Sequence, residues 1–395
     1  MKNGWQTRTL GEVLEKTETI NPPQSPNVEF DYIDVSSVSN TTFEIEETQR
    51  LKGKDAPSRA RKLVRTNDII FATIRPTLQR IAVVPEHLDK QVCSTGYFVL
   101  RPKQGIDHRY IFYSLFTENF IGQMESLQKG ASYPAVTDGD VRAQEIPVPP
   151  LAEQQRIVGL LDEAFEGLAT AKANAEKNLQ NARALFESHL QSVFTQRGKG
   201  WKQKTLEEIA TTFGRGKSKH RPRNEPKLYG GRYPFIQTGD IRNADHFITE
   251  YSQTYSEAGL AQSKLWTKGT ICITIAANIA ETAILGFDAC FPDSVIGVVA
   301  NPKEAEVGFI EYLLQSFKAR IQALGKGSAQ ANINMGTFEN ERFPFPPVAE
   351  QKQIVAKFDA LSVETQRLAR LYDRKLAALD ALKKSLLHQA FSGNL

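Results

Sequence analysis

The sequence predicts a mixed α+β fold in which two repeated α/β domains are separated by two long antiparallel coiled-coil helices. Three observations predict it: a stretch that occurs twice, a coiled-coil spacing of apolar residues in both copies, and a difference in residue size between the copies. The stretch that begins at Pro147 recurs at Pro344, and this offset of 197 residues holds without a gap through Phe194 and Phe391. A constant offset over that length indicates one structural unit used twice.

Each copy predicts a long helix. Proline suits the start of a helix but not its interior, so Pro150 and Pro347 mark the two starts. No further proline occurs before Phe194, or between Pro347 and Leu395. Mostly apolar residues then recur at alternating steps of three and four, which is typical of a coiled-coil seam. They are Ile157, Leu161, Ala164, Leu168, Ala171, Ala175, Leu179, Ala182 and Leu185 in the first copy, and Ile354, Phe358, Leu361, Thr365, Leu368, Tyr372, Leu376, Leu379, Leu382 and Leu386 in the second.

The two seams differ in size. The first has alanine at positions 164, 171, 175 and 182, where the second has leucine or tyrosine. A small seam that faces a large one packs closely, so we expect the two helices to pair with each other. At about 1.5 Å per residue, each helix is roughly 65 Å long. The alternative is an ordinary helical hairpin in a core, but a globular-looking segment separates the copies in sequence, and that favours a spacer.

The repeat extends beyond the helices. Gly4-Trp5 near the start matches Gly200-Trp201 after the first helix, and segments 67–74 and 268–275 each predict a turn followed by a buried strand. Segments 32–35 and 235–238 predict strands that lead into turns, and segments 10–14, 206–209, 110–113 and 309–312 predict short helices. We therefore predict one α/β domain at residues 1–150, a spacer helix at 151–196, a second α/β domain at 197–347 and a second spacer helix at 348–395.

Composition is ordinary for a globular protein that stays in water. The 395 residues are 41% hydrophobic and 24% charged, with a net charge of +4 and a pI near 8.7, which leans towards anionic partners. The three cysteines, Cys93, Cys272 and Cys290, lack metal-like spacing, and an odd count suits a reducing compartment. The sequence has neither an apolar leader nor a run of 18 apolar residues, so we expect a cytoplasmic protein without a membrane partner.

Motifs for catalysis are incomplete in this sequence. Asn21-Pro22-Pro23-Gln24 is similar to the Asn-Pro-Pro-aromatic motif of amino-methyltransferases, but Gln24 cannot stack on a flipped base and no Gly-rich cofactor loop lies upstream. Gly216-Lys217-Ser218 lacks the earlier glycine of a P-loop. Both segments are predicted to be turns. The six histidines show no ligand spacing, so we predict no catalytic residue and no metal site.

Basic and polar residues concentrate where the two halves diverge. Residues 56–62 precede the strand predicted at 67–74 and residues 75–80 follow it, so we expect these two loops to converge. Residues 214–224 alternate cations with glycine and proline, and segments 129–132 and 326–329 are polar loops at the same offset of 197. Arginine and lysine contact phosphates, and arginine and glutamine also contact guanine and adenine edges. The alternative for each residue is a solvated surface charge, but their joint concentration favours nucleic-acid binding. The candidate DNA-contacting residues are Arg59, Arg61, Lys62, Arg75, Gln79, Arg80, Lys129, Ser132, Tyr133, Arg215, Lys217, Lys219, Arg221, Arg223, Gln237, Thr238, Lys326, Ser328, Gln330 and Asn332.

The doubled Pro-x-Pro-Pro-x-Ala-Glu-Gln-x-x-Ile-Val motif at both helix starts resembles that of the specificity subunits of type I restriction–modification enzymes. The Gly-Trp pairs and the segments 94–102 and 235–241 resemble the same family. The resemblance covers the whole chain. It implies two target recognition domains, each of which reads one half of a bipartite double-stranded DNA site, with the helices between them.

The resemblance also implies a subunit without catalytic activity or bound cofactor of its own. Two modification subunits that bind S-adenosylmethionine and methylate adenine would dock on it, followed by restriction subunits that use ATP and Mg²⁺. Two alternatives remain at this point. A stand-alone DNA methyltransferase would need a Rossmann-like cofactor domain, for which the chain has neither the motif nor spare length. A coiled-coil assembly scaffold that does not touch DNA would not need the basic loops.

Overall fold

The computed structural model describes residues 4–196, 198–219, 222–276, 278–325, 333 and 335–395. The chain divides into two compact units. Unit 1 comprises Met1–Glu176 and Arg374–Leu395, and unit 2 comprises Lys177–Asp373.

The described part of unit 1 holds nine strands and the first helices of the chain. The strands are β1 (Gln6–Thr9), β2 (Glu29–Ile33), β3 (Gln49–Lys52), β4 (Ala60–Leu63), β5 (Ile69–Ala72), β6 (Ile81–Val83), β7 (Val92–Ser94), β8 (Tyr97–Leu100) and β9 (Glu145–Val148). The helices are α1 (Leu10–Val13), α2 (His108–Ser114), α3 (Glu118–Leu127), α4 (Asp138–Arg142) and the start of α5 (Leu151–Thr195). The strands form three sheets, in the orders β3-β2-β7-β4, β6-β5-β8 and β1-β9.

Unit 2 repeats this topology. Its strands are β10 (Lys202–Lys204), β11 (Ala210–Arg215), β12 (Tyr229–Phe235), β13 (Phe247–Ile248), β14 (Gln253–Tyr255), β15 (Leu265–Trp266), β16 (Ile271–Thr274), β17 (Thr282–Leu285), β18 (Ala289–Cys290), β19 (Val295–Ala300) and β20 (Phe343–Phe345). Its helices are α6 (Thr238–Asn243), α7 (Glu257–Ala261), α8 (Val307–Gly325), α9 (Met335–Glu339) and the larger part of α10 (Val348–Ser392).

The sheets of unit 2 follow the orders β14-β12-β18-β15, β11-β19-β16-β17-β13 and β10-β20. Strand β12 is antiparallel to β14 and parallel to β18, as β2 is antiparallel to β3 and parallel to β7. Among the described residues, strands β11 and β13 have no counterpart in the sheets of unit 1, and they extend the matching three-stranded sheet at both edges. The shared strand order confirms the predicted tandem fold.

The central strand of each three-stranded core is buried on both faces. All four residues of β5 and all four of β16 are buried, which explains why both appear in the sequence as continuous apolar runs. In unit 1, Ile69 and Phe71 pack towards Ile111 of α2 and Phe120 of α3. Ile70 belongs to a second cluster that includes residues of β2 and β7. The sheet therefore lies between the helices and the loop-bearing strands.

One glutamine fixes the start of each long helix. The Gln154 side chain accepts a hydrogen bond from Asp107 N at 2.9 Å and donates one to Pro149 O at 2.8 Å. Gln351 accepts from Glu306 N at 2.8 Å and donates to Pro346 O at 2.8 Å. Both glutamine residues are buried. The repeated Ala-Glu-Gln motif is therefore a structural clamp between the domain and its helix.

The two long helices pair within each unit. In unit 1, Lys172 forms an ion pair with Asp380 at 2.9 Å, and Arg156 donates to the Leu395 carbonyl at 2.9 Å. The contacts run in opposite chain directions, so the pairing in unit 1 is antiparallel. In unit 2, the Phe186 ring lies 6.0 Å from that of Phe358.

The predicted seam is wrong at one repeat-related pair. Ala175 and Ala182 are buried as expected, but Leu185 and Leu382 are 50% and 48% exposed. A helix has 3.6 residues per turn, so a fixed seam drifts around it. The next inward residue after Ala182 is Phe186, which packs on the core of unit 2.

The short helix predicted at residues 206–209 is also wrong, because these residues form a turn. Glu208 N and the Thr205 hydroxyl form the hydrogen bond of a helix N-cap, at 3.2 Å. The chain then enters β11 at Ala210, and the pairing of β11 with β19 leaves no room for a helix. In unit 1 the equivalent residues 10–13 form α1.

Candidate nucleic-acid interface

Four loops of unit 1 meet at one edge of its sheets. They are residues 57–59, the β5–β6 loop at 73–80, the β7–β8 turn at 95–96, and residues 129–136, and together they are the unit 1 loop cluster. Thr95 N donates to Arg59 O at 2.8 Å, Thr73 N donates to Gly96 O at 2.9 Å, and Val136 N donates to Thr73 O at 2.9 Å. The predicted convergence of the loops on either side of β5 is therefore present.

Several candidates on this cluster are exposed. Arg59, Arg75, Lys129 and Ser132 are exposed, and Tyr133 is 73% exposed. The Arg75 guanidinium carbon lies 5.4 Å from the centre of the Tyr133 ring. Within the described part of the chain, no carboxylate is within ion-pair distance of Arg59 or Arg75. The fold leaves the charge of these two arginines available to a partner.

Other candidates of the first half are bonded within unit 1. Lys62 Nζ donates to Tyr97 O at 2.6 Å and pairs with Asp138 at 2.8 Å. Arg80 donates to Val38 O at 2.5 Å, and Arg61 donates to Asn21 Oδ1 at 2.6 Å. Gln79 is half-buried. These bonds give Lys62, Arg61 and Arg80 structural roles, and their DNA contacts stay predictions.

In unit 2, equivalent backbone hydrogen bonds close the loops at the corresponding edge of the sheets. Ile275 N donates to Ser294 O at 3.0 Å, and Ile333 N donates to Ile275 O at 3.2 Å. These two bonds correspond to Thr73–Gly96 and Val136–Thr73 of unit 1, and Ile333 lies 197 residues after Val136. Ser263 Oγ donates to Lys217 O at 2.8 Å and ties residues 215–219 to the chain before β15.

The cations of unit 2 divide into bonded and exposed ones. Arg223 pairs with Asp293 at 2.7 Å, and Arg215 Nε donates to the Asp293 carbonyl at 2.8 Å. Lys217 and Lys219 are exposed. Gln237 donates to Gln253 Oε1 at 2.7 Å, and Thr238 begins α6. The candidates that lie outside the described residues are Arg221, Lys326, Ser328, Gln330 and Asn332.

Sequence reasoning missed Lys264. Its Nζ lies 3.6 Å from the centre of the Trp266 ring, and burial together with the charge of Lys217 lowers its pKa. Lys264 precedes Leu265, which pairs with Cys290, as Lys62 precedes Leu63, which pairs with Val92. A gapped alignment of the two halves along these strands would have found it. Lys264 and Lys217 are close enough for their charges to interact, and neighbouring positive charges favour an anionic ligand.

The motifs set aside in the sequence have structural explanations. Pro22–Gln24 is a 3-10 helix, as the predicted turn requires. Gly216 is buried, and a side chain there would overlap the carbonyl oxygens of Phe291 and Pro292. Its glycine is therefore explained by close packing. Burial raises the pKa of Cys93 to about 12, which keeps that thiol protonated.

Two kinds of feature are absent from the described residues. No group of three or more His, Cys, Asp or Glu side chains is placed to hold a metal ion. No helix in the described ranges combines the length and apolar character that crossing a membrane requires.

A sequence model of the type I restriction modification DNA specificity domain matches residues 2–179 and 198–372. The chain belongs to this family. Each match contains one α/β domain with one loop edge, so the family motif repeats with the fold. This confirms the resemblance seen at the helix starts, and it identifies the chain as a specificity subunit rather than a methyltransferase or a scaffold.

Similar proteins agree with the family. The putative type I restriction enzyme MjaX specificity subunit of Methanocaldococcus jannaschii is 20% identical, over 99% of this chain and 93% of that protein. The EcoKI specificity subunit of Escherichia coli is 24% identical over 77% of this chain and 69% of that protein. The HsdS subunit of Thermoanaerobacter tengcongensis is 29% identical, with a TM-score of 0.75 over 100% of this chain and 98% of that one.

A chain from a structural study of complex assembly and conformational transition of the type I R-M system is also 29% identical. Its TM-score is 0.85, over 100% of this chain and 99% of that chain. The likeness therefore spans both α/β domains and both long helices.

Proposed function

We propose that this specificity subunit reads a bipartite double-stranded DNA site, one half-site with each unit, without catalysing a reaction itself. The unit 1 loop cluster carries the proposal. Its exposed Arg59 and Arg75 have no carboxylate within ion-pair distance among the described residues, and they lie with exposed Tyr133 on one edge. Arginines that the fold leaves unpaired suit phosphate oxygens and base edges.

The divergence between the units supports two different half-sites. The β5–β6 loop of unit 1 contains Arg75 and Arg80, whereas the corresponding loop of unit 2 contains Asn278 and Glu281. In unit 2 the cations lie instead on residues 215–219, where they are exposed, and at Lys264, which is half-buried. Equal scaffolds with different loop chemistry are what two modules need in order to recognise different sequences.

The long helices support docking of partner subunits. They carry exposed large apolar side chains that their own pairing does not cover: Leu151, Leu160, Leu185, Val363, Leu371 and Leu382. Contiguous exposed apolar surface marks protein interaction sites, and we propose that partner subunits cover these side chains. Leu185 and Leu382 occupy the same position in the two helix copies, which favours two equivalent partners, namely two modification subunits, with restriction subunits joining the complex.

The chemistry is then assigned to those partners. S-adenosylmethionine would be bound by the modification subunits, and ATP and Mg²⁺ by the restriction subunits, in the cytoplasm where the DNA is. The side chains of this chain bind and orient the DNA. The helices set the distance between the half-sites, because half-sites read by a two-domain protein must match its domain spacing and helical phase.

Methylome sequencing of a host with and without this chain tests the proposal. We expect one bipartite adenine-methylated motif that appears only when the chain and its modification subunits are expressed together. A second strain carries Arg59→Ala with Arg75→Ala, and it should relax one half-site and keep the other. A methylome that does not change with the chain would contradict the proposal, and relaxation of both half-sites would contradict separate reading by the two units.

A further inference from the structure

Arg75 and Tyr133 form a pair that the packing of unit 1 does not require. They lie on two loops that backbone contacts join: Arg75 N donates to Pro134 O at 2.7 Å, and Ile74 forms an antiparallel β-bridge with Ala135. Lys129 and Ala135 close the second loop with two hydrogen bonds of 2.9 Å. The loops hold the two side chains together at the exposed edge.

Neither side chain is used by the core. Tyr133 is the most exposed large hydrophobic side chain of the described residues, at 73%. Arg75 is exposed, and its guanidinium carbon lies 5.4 Å from the centre of the Tyr133 ring. Nearby Lys62 and Arg80, by contrast, are bonded to carbonyl or carboxylate oxygens of unit 1. The pair is therefore a charged, oriented group left facing outwards.

The backbone of Arg75 adds a second observation. Arg75 has φ 50° and ψ 57°, in the left-handed region, and it precedes Pro76. A residue other than glycine is disfavoured there, and the position before proline is restricted further. Strained backbone that the surrounding structure holds in place is concentrated at functional sites. Glycine would relieve the strain, but it would remove the guanidinium.

On the basis of the proposed DNA-reading function, we infer that Arg75 recognises a guanine in the half-site read by unit 1, with Tyr133 orienting its guanidinium. The Arg75 guanidinium carbon lies 5.4 Å from the centre of the Tyr133 ring, and a guanidinium that stacks on an aromatic face keeps its in-plane N–H groups available as donors. Guanine presents two acceptors, O6 and N7, in the major groove, and arginine binds both at once. Arginine can approach the oxygens of a phosphate from many directions, whereas binding both O6 and N7 requires the guanidinium to lie in the plane of the guanine base. The orienting ring therefore favours the base.

The test uses the chain in complex with its modification subunits and the half-site that methylome sequencing assigns to unit 1. Each guanine is replaced in turn by 7-deazaguanine, which lacks the N7 acceptor, or by inosine, which keeps both N7 and O6. We expect 7-deazaguanine at one position to weaken wild-type binding about tenfold, within the range of a specific base contact. Inosine there should leave the affinity unchanged.

Protein variants assign that effect to the pair. Arg75→Ala should weaken binding to the unmodified site and remove the difference between guanine and 7-deazaguanine. Arg75→Lys keeps the charge but not the fork, and should keep phosphate-like affinity with reduced discrimination. Tyr133→Phe keeps the ring and should behave as wild type, whereas Tyr133→Ala should reduce discrimination. Arg8→Ala, an exposed arginine bonded to Gln6, is the matched control.

Two results would overturn the guanine inference and leave DNA reading intact. One is a unit 1 half-site without guanine on either strand. The other is equal affinity for guanine and 7-deazaguanine at every position, with Arg75→Ala weakening all sequences and lowering the salt slope by about one, as a phosphate contact would. Absence of any sequence-specific binding by the wild-type complex would instead refute the proposed function itself.

Discussion

Replacing either clamp glutamine should lower the local stability of its own unit. These residues are Gln154 in unit 1 and Gln351 in unit 2. Each is a buried side chain that joins its α/β domain to the start of its long helix through two short hydrogen bonds. Their environments match closely, so the two substitutions serve as controls for each other. We expect Gln154→Ala to loosen unit 1 and Gln351→Ala to loosen unit 2.

The free-energy cost of each substitution follows from the backbone groups that lose their hydrogen-bond partner. Gln351→Ala removes two short bonds, to the half-buried N–H of Glu306 and the carbonyl of buried Pro346, together with a longer one to the Glu304 carbonyl at 3.2 Å. An unsatisfied buried group costs about 1–3 kcal/mol, so the two together cost roughly 2–4 kcal/mol once partial solvent access is counted. Gln→Met fills the same space without these hydrogen bonds. The difference in stability between the Ala and Met variants therefore gives the free-energy cost of the cavity alone.

Hydrogen exchange with mass spectrometry measures this by region. Amides of residues 105–114 should exchange faster in Gln154→Ala, and amides of residues 304–314 in Gln351→Ala, with the other unit unchanged. The lost protection should correspond to a similar free energy in both variants. A cost below about 1 kcal/mol would refute the hydrogen-bond accounting. Equal loosening of both units by one substitution would refute their independence.

Three further predictions concern charge, pH and length. The Asp68 carboxylate, 1% exposed, holds Arg101 through bonds of 2.9 and 2.8 Å, so Arg101→Ala should lower the free energy of unfolding by about 3–5 kcal/mol in urea titrations, and Arg101→Lys should recover little of it. Burial lowers the pKa of His246, but the hydrogen bond to Glu311 and the charges of Asp359 and Asp245 outweigh it and leave the pKa above the ordinary 6.5. The stabilisation is therefore full below pH 6.5 and is lost as pH rises through the raised pKa, so His246→Gln should destabilise unit 2 more at pH 6 than at pH 8.5 in hydrogen exchange, and an equal effect at both would contradict this. Four residues inserted near Ala173, about 6 Å of helix, should lengthen the gap in the methylated motif or abolish recognition, and an unchanged motif would show that the helices do not set the spacing.

The tandem fold was predictable because its signals are local or repeat at a fixed offset. The proline-marked helix starts and the apolar runs at β5 and β16 each follow from consecutive residues. The seam prediction failed at Leu185 because the inward face shifts around a helix with 3.6 residues per turn. At that level Phe186 faces the core and has the larger apolar surface to bury. The prediction of a helix at residues 206–209 failed because strand pairing by β11 overrides a weak helix propensity.

The sequence was less able to predict which candidate cations are bonded within the fold and which are exposed. Lys62 pairs with Asp138 and Arg223 pairs with Asp293, at separations of 76 and 70 residues in the chain. Only the folded topology brings such partners together, so charge patterns along the sequence do not distinguish a bonded cation from a free one. The sequence correctly predicted that the loops around β5 converge, but the geometry separates exposed Arg75 from bonded Arg80.

Backbone hydrogen bonds that recur in both units explain how one fold carries loops with different side chains. Ala72 N donates to Arg80 O in unit 1, and Thr274 N donates to Glu281 O in unit 2, at 3.0 and 2.9 Å. The residue before each acceptor, Gln79 or Ala280, has a positive φ. The backbone that closes the loop is therefore conserved between the units, although a cation is replaced by an anion at the acceptor position. Because main-chain hydrogen bonds hold the frame, side chains between them can change without a cost to the sheet, and each unit is free to present its own recognition surface.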